Sequence, residues 1–285
     1  MEVKVYENAN AYLLDNKAML LEREASSQLV LYDAYQASQR TESIKSLFGV
    51  VMDEGSIILH FSNVPSRNLS IYIQNDYMDI LEAARFLADY ISKNHILLEG
   101  LNAKEEVCKA FIEQYEKTVE GTFIKRMAMD IMEIRQVNEI KHIEGTTRLA
   151  IPNEVKLLTD WMVQFQIEAL AKEIDYESAI VKISRLINYN KLYVFENPDE
   201  TVVSMAATTR ELVHGIAISY VYTPEEYRGM GYAVANIYNI SKNYLEEGYE
   251  FCTLFVDKDN VLSKCAYEKV GYSILDNIYE FKLLQ

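Results

Sequence analysis

The spacing of apolar residues predicts the helices and strands in the first half of the chain. Residues 7–39 carry dense apolar positions at helical spacing, which predicts two helices. Short apolar runs bounded by turn residues predict strands. The predicted strands are 46–52, 56–61, 69–73, 95–98 and 123–134, and further helices are predicted at 76–93 and 103–117. Residues 53–55, Asp-Glu-Gly, join the first two strands as a hairpin turn.

The second half repeats the order of these elements. Pro152 and Asn153 open a helix that is predicted to run to 171. The other predicted elements are helices at 176–188 and 263–269, a helix with Val234 on its apolar face, and strands at 192–196, 202–208, 216–222, 251–256 and 279–284. Both halves therefore run helices, three strands, helix, strand, helix, strand. This order predicts two α/β domains with mixed sheets, at residues 1–142 and 143–285.

Charge and composition narrow the class of partner. The formal net charge is −15, and acidic residues are in excess in both halves. A uniformly acidic chain repels phosphate backbones, which argues against nucleic acid, and it favours cationic substrates such as amines. Cys108, Cys252 and Cys265 have no CxxC spacing, so neither a disulfide framework nor a metal site is predicted. Since the sequence has neither a leader pattern nor a long apolar segment, it predicts a cytoplasmic protein without a membrane partner.

Glycine is scarce, yet five of the ten glycines fall within residues 215–271. In this window a predicted strand leads into residues 228–233, Arg-Gly-Met-Gly-Tyr-Ala, and an amphipathic helix follows at once. N–H groups in the first turn of a helix lack internal partners, and glycines let the backbone close around an anion there. The spacing therefore predicts a site for a phosphate or pyrophosphate.

Three anion-binding patterns compete for this loop. A P-loop requires a Gly-Lys-Ser/Thr ending, which the chain lacks. A dinucleotide-binding fingerprint requires a small residue where Val234 stands. The third pattern is Arg-x-x-Gly-x-Gly/Ala, which Arg228, Gly231 and Ala233 satisfy. This pattern resembles the coenzyme A pyrophosphate loop of the GCN5-related N-acetyltransferase (GNAT) superfamily.

A second motif strengthens the resemblance. The superfamily follows the loop with a helix, a strand and then Asn-x-x-Ser-x-x-x-Tyr-x-x-x-Gly-Phe/Tyr. In this chain the motif is filled in register by Asn260, Ser263, Tyr267, Gly271 and Tyr272. The resemblance runs from about residue 146 to the end, and its details look like a two-domain bacterial subgroup related to glycine N-acyltransferase. In that subgroup the N-terminal half looks like a degenerate copy of the same fold, and here the helix at 76–93 lacks the loop motif.

The resemblance implies acetyl-CoA as cofactor and assigns roles to particular residues. The strand before the loop would pair through its backbone with the pantetheine arm, and a bulge there would polarise the thioester carbonyl. Asn260 would contact the same arm, and Tyr267 would protonate the departing thiolate. The residues implied to bind the cofactor are Tyr220, Val221, Tyr222, Arg228, Gly229, Met230, Gly231, Tyr232, Ala233, Val234 and Asn260, and the implied catalytic residue is Tyr267.

Two hypotheses follow for the function. The first is an acetyl-CoA-dependent N-acetyltransferase that acts on a primary amine of a small molecule, as a monomer or homodimer, with Glu211 or His214 as candidate base. The second is a non-catalytic acyl-CoA-binding or sensor protein of the same fold. Plainer interpretations also stay open, because Tyr267 could be a core tyrosine and Asn260 could simply cap the following helix.

Overall fold

The computed structural model describes residues 1–40, 46–76, 79–170 and 173–284. Within these ranges the contacts divide the chain into two compact units. The first unit comprises Met1–Met129 and Asp276–Gln285, and the second comprises Asp130–Leu275. The proposed domain boundary between residues 142 and 143 stays a prediction.

The first unit is a mixed sheet flanked by helices. Its sheet order is β1-β2-β3-β4-β5-β12, and every neighbouring pair is antiparallel except β4 and β5. The elements are β1 (Glu2–Val5), α1 (Ala9–Glu22), α2 (Glu24–Ser38), β2 (Leu47–Asp53), β3 (Ser56–Asn63), β4 (Leu69–Ile73), α3 (Ile80–Lys93), β5 (Gly100–Ala103) and α4 (Glu105–Tyr115), with the first part of β6 (Thr122–Ile134) and the end of β12 (Ser273–Leu284).

The second unit repeats this arrangement. Its sheet order is β7-β8-β9-β10-β11, with β10 and β11 parallel and the other pairs antiparallel. The elements are β7 (Thr146–Leu149), α5 (Val155–Leu170), α6 (Tyr176–Asn188), β8 (Leu192–Glu196), β9 (Val202–Glu211), β10 (Gly215–Tyr222), α7 (Tyr232–Glu246), β11 (Phe251–Asp257) and α8 (Val261–Val270). In both units an antiparallel meander leads through a helix to a parallel strand, which confirms the mixed α/β class.

Each sheet has apolar clusters that match its helices. In the first unit, one cluster includes the apolar face of α3 and α4, and another includes α1 and α2. In the second unit, one cluster includes α7 and α8, and another includes α5 and α6. Amphipathic helices bury one stripe each, so the helices of a unit and its strands enclose separate cores.

The hairpin turn is confirmed, and the strand predicted at 95–98 is wrong. Glu54 and Gly55 have φ of +48° and +82° between antiparallel β2 and β3. Residues 95–98 instead follow the end of α3: the N–H of His95 donates to the carbonyl of Ser92, and the N–H of Ile96 donates to that of Ile91. These two bonds close the helix in a Schellman turn, and the strand forms later, as β5.

Other boundaries shift for simple reasons. The strands β1 and β7 were not predicted; each has only four residues, and none of these residues is buried. The last strand begins earlier than the predicted residue 279, at Ser273. Ala171, the end of the predicted helix 152–171, lies outside the described residues, as do Tyr77 and Met78 of the predicted helix 76–93.

Candidate active site

The strand β10 separates from β11 partway along its length. Its parallel register with β11 ends at Ile218 opposite Leu254, and its register with β9 shifts between Ser219 and Tyr222. Tyr220 has φ of +54°, a left-handed value that residues with a Cβ adopt only under constraint. This bulge lies within the segment for which the sequence implies pairing with a pantetheine arm; that binding role stays a prediction.

Aromatic residues of α5 pack against the bulged segment. The rings of Trp161 and Tyr222 have centroids 6.3 Å apart, and Phe165 meets Tyr220 edge to face at 5.7 Å. The ammonium of Lys182, on α6, lies 5.4 Å from the centroid of the Tyr220 ring. Trp161 and Phe165 are one helical turn apart, so a single face of α5 supports the strained backbone.

The loop after β10 ends in a glycine that starts α7. A short 3-10 turn at Glu225–Tyr227 precedes it, and Gly229 and Gly231 have φ of +80° and +86°. Gly231 is the residue before the first helical position, Tyr232, and it caps the helix with no side-chain bond. The first-turn N–H groups of α7 therefore point out of a helix end that carries no side-chain cap.

The surroundings of this helix end suit an anion. The first turn of α7 contains no acidic residue, and Tyr232, Ala233 and Val234 are only half-buried. A Cβ added to Gly229 would meet open space, whereas one added to Gly231 would lie 3.0 Å from Cδ1 of Ile143. Because Gly231 has no side chain, its backbone can be approached closely by a ligand. The dipole of α7 adds positive potential at the same point.

Arg228 is held by a residue that the sequence did not single out. Its guanidinium donates to the carboxylate of Glu168, on α5, and its Nε donates to the carbonyl of Thr223 at 2.9 Å. The Tyr222 hydroxyl donates to the other oxygen of Glu168 at 2.9 Å. The Glu168 hydrogen bond raises the pKa of Arg228, and burial together with Glu168 raises the pKa of Tyr222 to about 12. Glu168 therefore ties the loop and the bulged strand to one helix.

Asn260 caps α8 as the plainer interpretation expects. Its Oδ1 accepts a hydrogen bond from the N–H of Ser263 at 3.0 Å, and the residue is exposed. Asn260 follows the end of β11. The strand β11 pairs with β10 only as far as Leu254, opposite Ile218. The cap accounts for one atom of the side chain; contact with a pantetheine arm stays a prediction.

Tyr267 lies in the apolar cluster beneath α7 and α8. It is 8% exposed, and its ring centroid is 6.1 Å from that of Tyr272. Burial raises the pKa of the Tyr267 phenol to about 12, against the opposing effect of the Ser263 hydrogen bond. The phenol consequently keeps its proton at neutral pH. A buried phenol fits both a proton donor and a core tyrosine, so its catalytic role stays a prediction.

The two candidate bases lie at the end of β10 away from the bulge, and their role stays a prediction. Glu211 ends β9, and His214 immediately precedes Gly215, where β10 begins. The bulge at Tyr220 is five residues further on, which is about 16 Å along an extended strand. Glu211 instead accepts a hydrogen bond from the hydroxyl of Tyr249 at 3.2 Å. Proximity along the chain suggested these residues, but extended backbone separates them from the bulge.

The corresponding helix start in the first unit has a different chemistry. There β4 leads to α3, whose first turn contains Glu82 and whose cap is Asp79. The Asp79 carboxylate accepts the N–H of Glu82 at 2.9 Å. A carboxylate already bound at a helix N-terminus disfavours a phosphate there. That the first half does not bind pyrophosphate in the same manner stays a prediction.

The second unit thus combines a mixed sheet, a strand that separates from its neighbour and a helix start without acidic residues. Residues 156–272 match the family model described as Acetyltransferase (GNAT) family. This span includes the bulge, the loop, α7 and Tyr267. Over these residues the chain is similar to acetyltransferases of the GNAT family.

Solved structures extend the likeness in fold to the whole chain. An acetyltransferase of the GNAT family from Colwellia psychrerythraea is 11% identical, with a TM-score of 0.54, and each chain covers 100% of the other. A Drosophila protein is 11% identical with a TM-score of 0.63, covering 99% of this chain and 98% of its own. A GCN5-related N-acetyltransferase from Sphaerobacter thermophilus is 15% identical with a TM-score of 0.60, covering 98% and 94%. At these identities the likeness establishes the fold alone.

No curated protein matches the sequence. Among the described helices, none is both long and apolar enough to cross a membrane. Over the same described residues, no group of three or more His, Cys, Asp or Glu side chains could hold a metal ion.

Proposed function

We propose that the chain is an N-acetyltransferase that transfers the acetyl group of acetyl-CoA to a primary amine of a small molecule or amino compound by direct attack. The observation that carries the proposal is the combination, in one unit, of a strand that leaves its neighbour at Ile218 and a glycine-led helix start without acidic residues. The separation of β10 from β11 is followed directly along the chain by the helix start that suits an anion. Together they suit a long cofactor that has both a diphosphate and an amide-bearing arm.

The residues present fit coenzyme A. Gly231 leaves room for a phosphate at the start of α7, where a Cβ would crowd Ile143. When bound, acetyl-CoA supplies the activated acetyl thioester. The first-turn N–H groups of α7 would hold the diphosphate, and the backbone of Tyr220–Tyr222 would pair with the arm. A backbone N–H at the bulge would stabilise negative charge on the reacting carbonyl oxygen.

Proton transfers complete the reaction. Tyr267 keeps a proton on its phenolic oxygen at neutral pH and gives it to the departing thiolate. A primary amine with an ordinary pKa of about 10.4 is neutral in only about one part in a thousand at pH 7, so it must lose a proton before attack. We propose that this proton passes to solvent water beside the bulge, where Glu168 accepts the Tyr222 hydrogen bond.

The test combines binding and turnover. Calorimetric titration of the purified chain with coenzyme A is expected to give saturable binding that Gly231→Glu abolishes. Release of free thiol from acetyl-CoA is then measured with an amino acid, a polyamine, an aminoglycoside and a peptide amine. Acetylation of at least one of them, at a rate above hydrolysis, is the expected result. Absence of binding to the unmodified chain would refute the proposal.

The burial of Tyr267 favours a second candidate function. A tyrosine within an apolar cluster is what a protein that binds acyl-CoA without catalysis would retain for packing. Such a protein would bind coenzyme A and lose binding in Gly231→Glu, yet release no thiol with any amine. Binding and turnover measured together therefore separate the two functions.

A further inference from the structure

One side chain of α7 is buried without hydrogen bonds. Asn236 is 0% exposed, and neither the oxygen nor the nitrogen of its carboxamide has a hydrogen-bond partner in the described structure. Buried polar groups are almost always paired, and an unpaired one destabilises the fold. Leucine would fill the same space without that penalty. A bound ligand is therefore the hydrogen-bond partner that would explain an asparagine at this position.

The position of Asn236 relates it to the candidate cofactor site. It lies one helical turn, about 6 Å along the axis, beyond Tyr232, where α7 begins. Ala235 belongs to a cluster with Phe195 and Val203, on β8 and β9, while Ile237 belongs to the cluster of β10 and β11. Asn236 stands between these two contacts, on the side of α7 that faces the sheet.

The first turns of α7 lie near the point where β10 and β11 cease to pair. A helix that connects two parallel strands runs back along them, so the first turns of α7 lie near the carboxyl ends of β10 and β11. That is where the register of the two strands has ended, beyond Ile218. On β9, opposite Phe195 of β8, the Ser204 hydroxyl donates to the carbonyl of Tyr222 at 3.2 Å and accepts from the Thr223 hydroxyl. These polar groups are already paired with one another.

We propose that Asn236 binds the pantetheine arm of coenzyme A, an inference that rests on the proposed function. A carboxamide offers both N–H donors and a carbonyl acceptor, which complements a secondary amide. The arm of coenzyme A carries two secondary amides. A phosphate would use only the donors, and an aliphatic chain would use neither. The unpaired atoms of Asn236 thus select the amide-bearing part of the cofactor and not its nucleotide.

The experiment compares two ligands and two variants. Coenzyme A and adenosine 3′,5′-bisphosphate, which lacks the arm, are titrated calorimetrically against the unmodified chain, Asn236→Leu and Asn239→Leu. Asn239 is the matched control, because it lies on the same helix and its amide already donates to Thr147 Oγ1 at 3.0 Å. Thermal unfolding without ligand is recorded for all three proteins.

The two variants are expected to differ in both unfolding temperature and coenzyme A affinity. Asn236→Leu is expected to unfold at the same or a higher temperature, to bind coenzyme A about tenfold more weakly and to bind the bisphosphate unchanged. Asn239→Leu is expected to unfold at a lower temperature and to bind coenzyme A as before.

Three outcomes would overturn the inference. Unchanged coenzyme A affinity in Asn236→Leu would refute it and leave the proposed function intact. Equal weakening of both ligands, with a lower unfolding temperature, would assign Asn236 a purely structural role. No binding of coenzyme A to the unmodified chain would refute the proposed function and this inference together.

Discussion

Two glycines at opposite ends of α7 allow the anion site to be tested against a matched control. Gly231 precedes the helix with φ of +86°, and Gly248 follows it with φ of +103°. Both conformations are left-handed, so alanine strains the backbone at either position. Only Gly231 adjoins the helix start that we propose holds the diphosphate. Gly231→Ala and Gly248→Ala should therefore share a loss of stability and differ in cofactor binding.

The size of the stability loss follows from the geometry. A left-handed residue with a Cβ costs about 1–2 kcal/mol, and alanine recovers about 0.4–1 kcal/mol by restricting the unfolded chain. The net loss is then about 1 kcal/mol at each position. A Cβ on Gly248 meets open space, whereas one on Gly231 lies 3.0 Å from Ile143, which must shift by a few tenths of an ångström. Gly231→Ala should accordingly be the less stable variant by a small margin.

Urea unfolding and calorimetric titration with coenzyme A measure the two quantities separately. We expect both variants to lose about 1 kcal/mol of unfolding free energy with unchanged denaturant dependence. Gly231→Ala should bind coenzyme A at least about tenfold more weakly, a difference of about 1.4 kcal/mol, because its Cβ narrows the phosphate cradle. Gly248→Ala should bind as the unmodified chain does. If both variants lost affinity equally, the effect would arise from helix stability, and the assignment of the diphosphate to Gly231 would be wrong.

Three further predictions concern single side chains. Tyr267→Phe should lower kcat about a hundredfold and leave coenzyme A affinity unchanged. The decrease should be the same from pH 6 to 9, because the Tyr267 phenol stays protonated below its pKa of about 12. An unchanged kcat would exclude Tyr267 as the general acid. Burial lowers the pKa of His60 to about 4, so as the pH falls the unfolded state binds a proton before the folded state does. About 2 kcal/mol of unfolding free energy should therefore be lost between pH 7 and 5. His60→Gln should flatten this pH dependence of stability, and an equally steep profile in the variant would contradict the prediction. Glu168→Gln should change the unfolding free energy by less than about 1 kcal/mol, because the ion pair of Glu168 with Arg228 is partly exposed. The same variant should bind coenzyme A severalfold more weakly. The control Glu246→Gln, which breaks an exposed ion pair within α7, should leave coenzyme A binding unchanged.

Local spacing predicted the parts of the site that depend on neighbouring residues. The loop between β10 and α7 follows from the two glycines and from the amphipathic pattern after them, since left-handed turns and helix starts are encoded within a few residues. The meander before it follows from apolar runs of strand length. These features needed no knowledge of tertiary contacts.

Residues brought together over long distances escaped the sequence analysis. Glu168 meets Arg228 across 60 positions of chain, and nothing in its own helix distinguishes it from other exposed acids. Asn236 resembles an ordinary polar residue of a helix until its burial is known. Glu211 and His214 were chosen because they are close in sequence to the bulge, but an extended strand puts five residues about 16 Å apart.

The pairing of β12 with β5 has a consequence for how the chain is made. Cys108, which follows β5, contacts the carbonyl of Tyr279 on β12 across 171 residues. At a synthesis rate of about 5–20 residues per second, the ribosome needs about 10–30 s to produce the second residue after the first. During that interval one edge of β5 has no strand to receive its backbone hydrogen bonds, and exposed edges invite pairing with other chains. The first unit, although it is translated first, is therefore the last to complete its sheet.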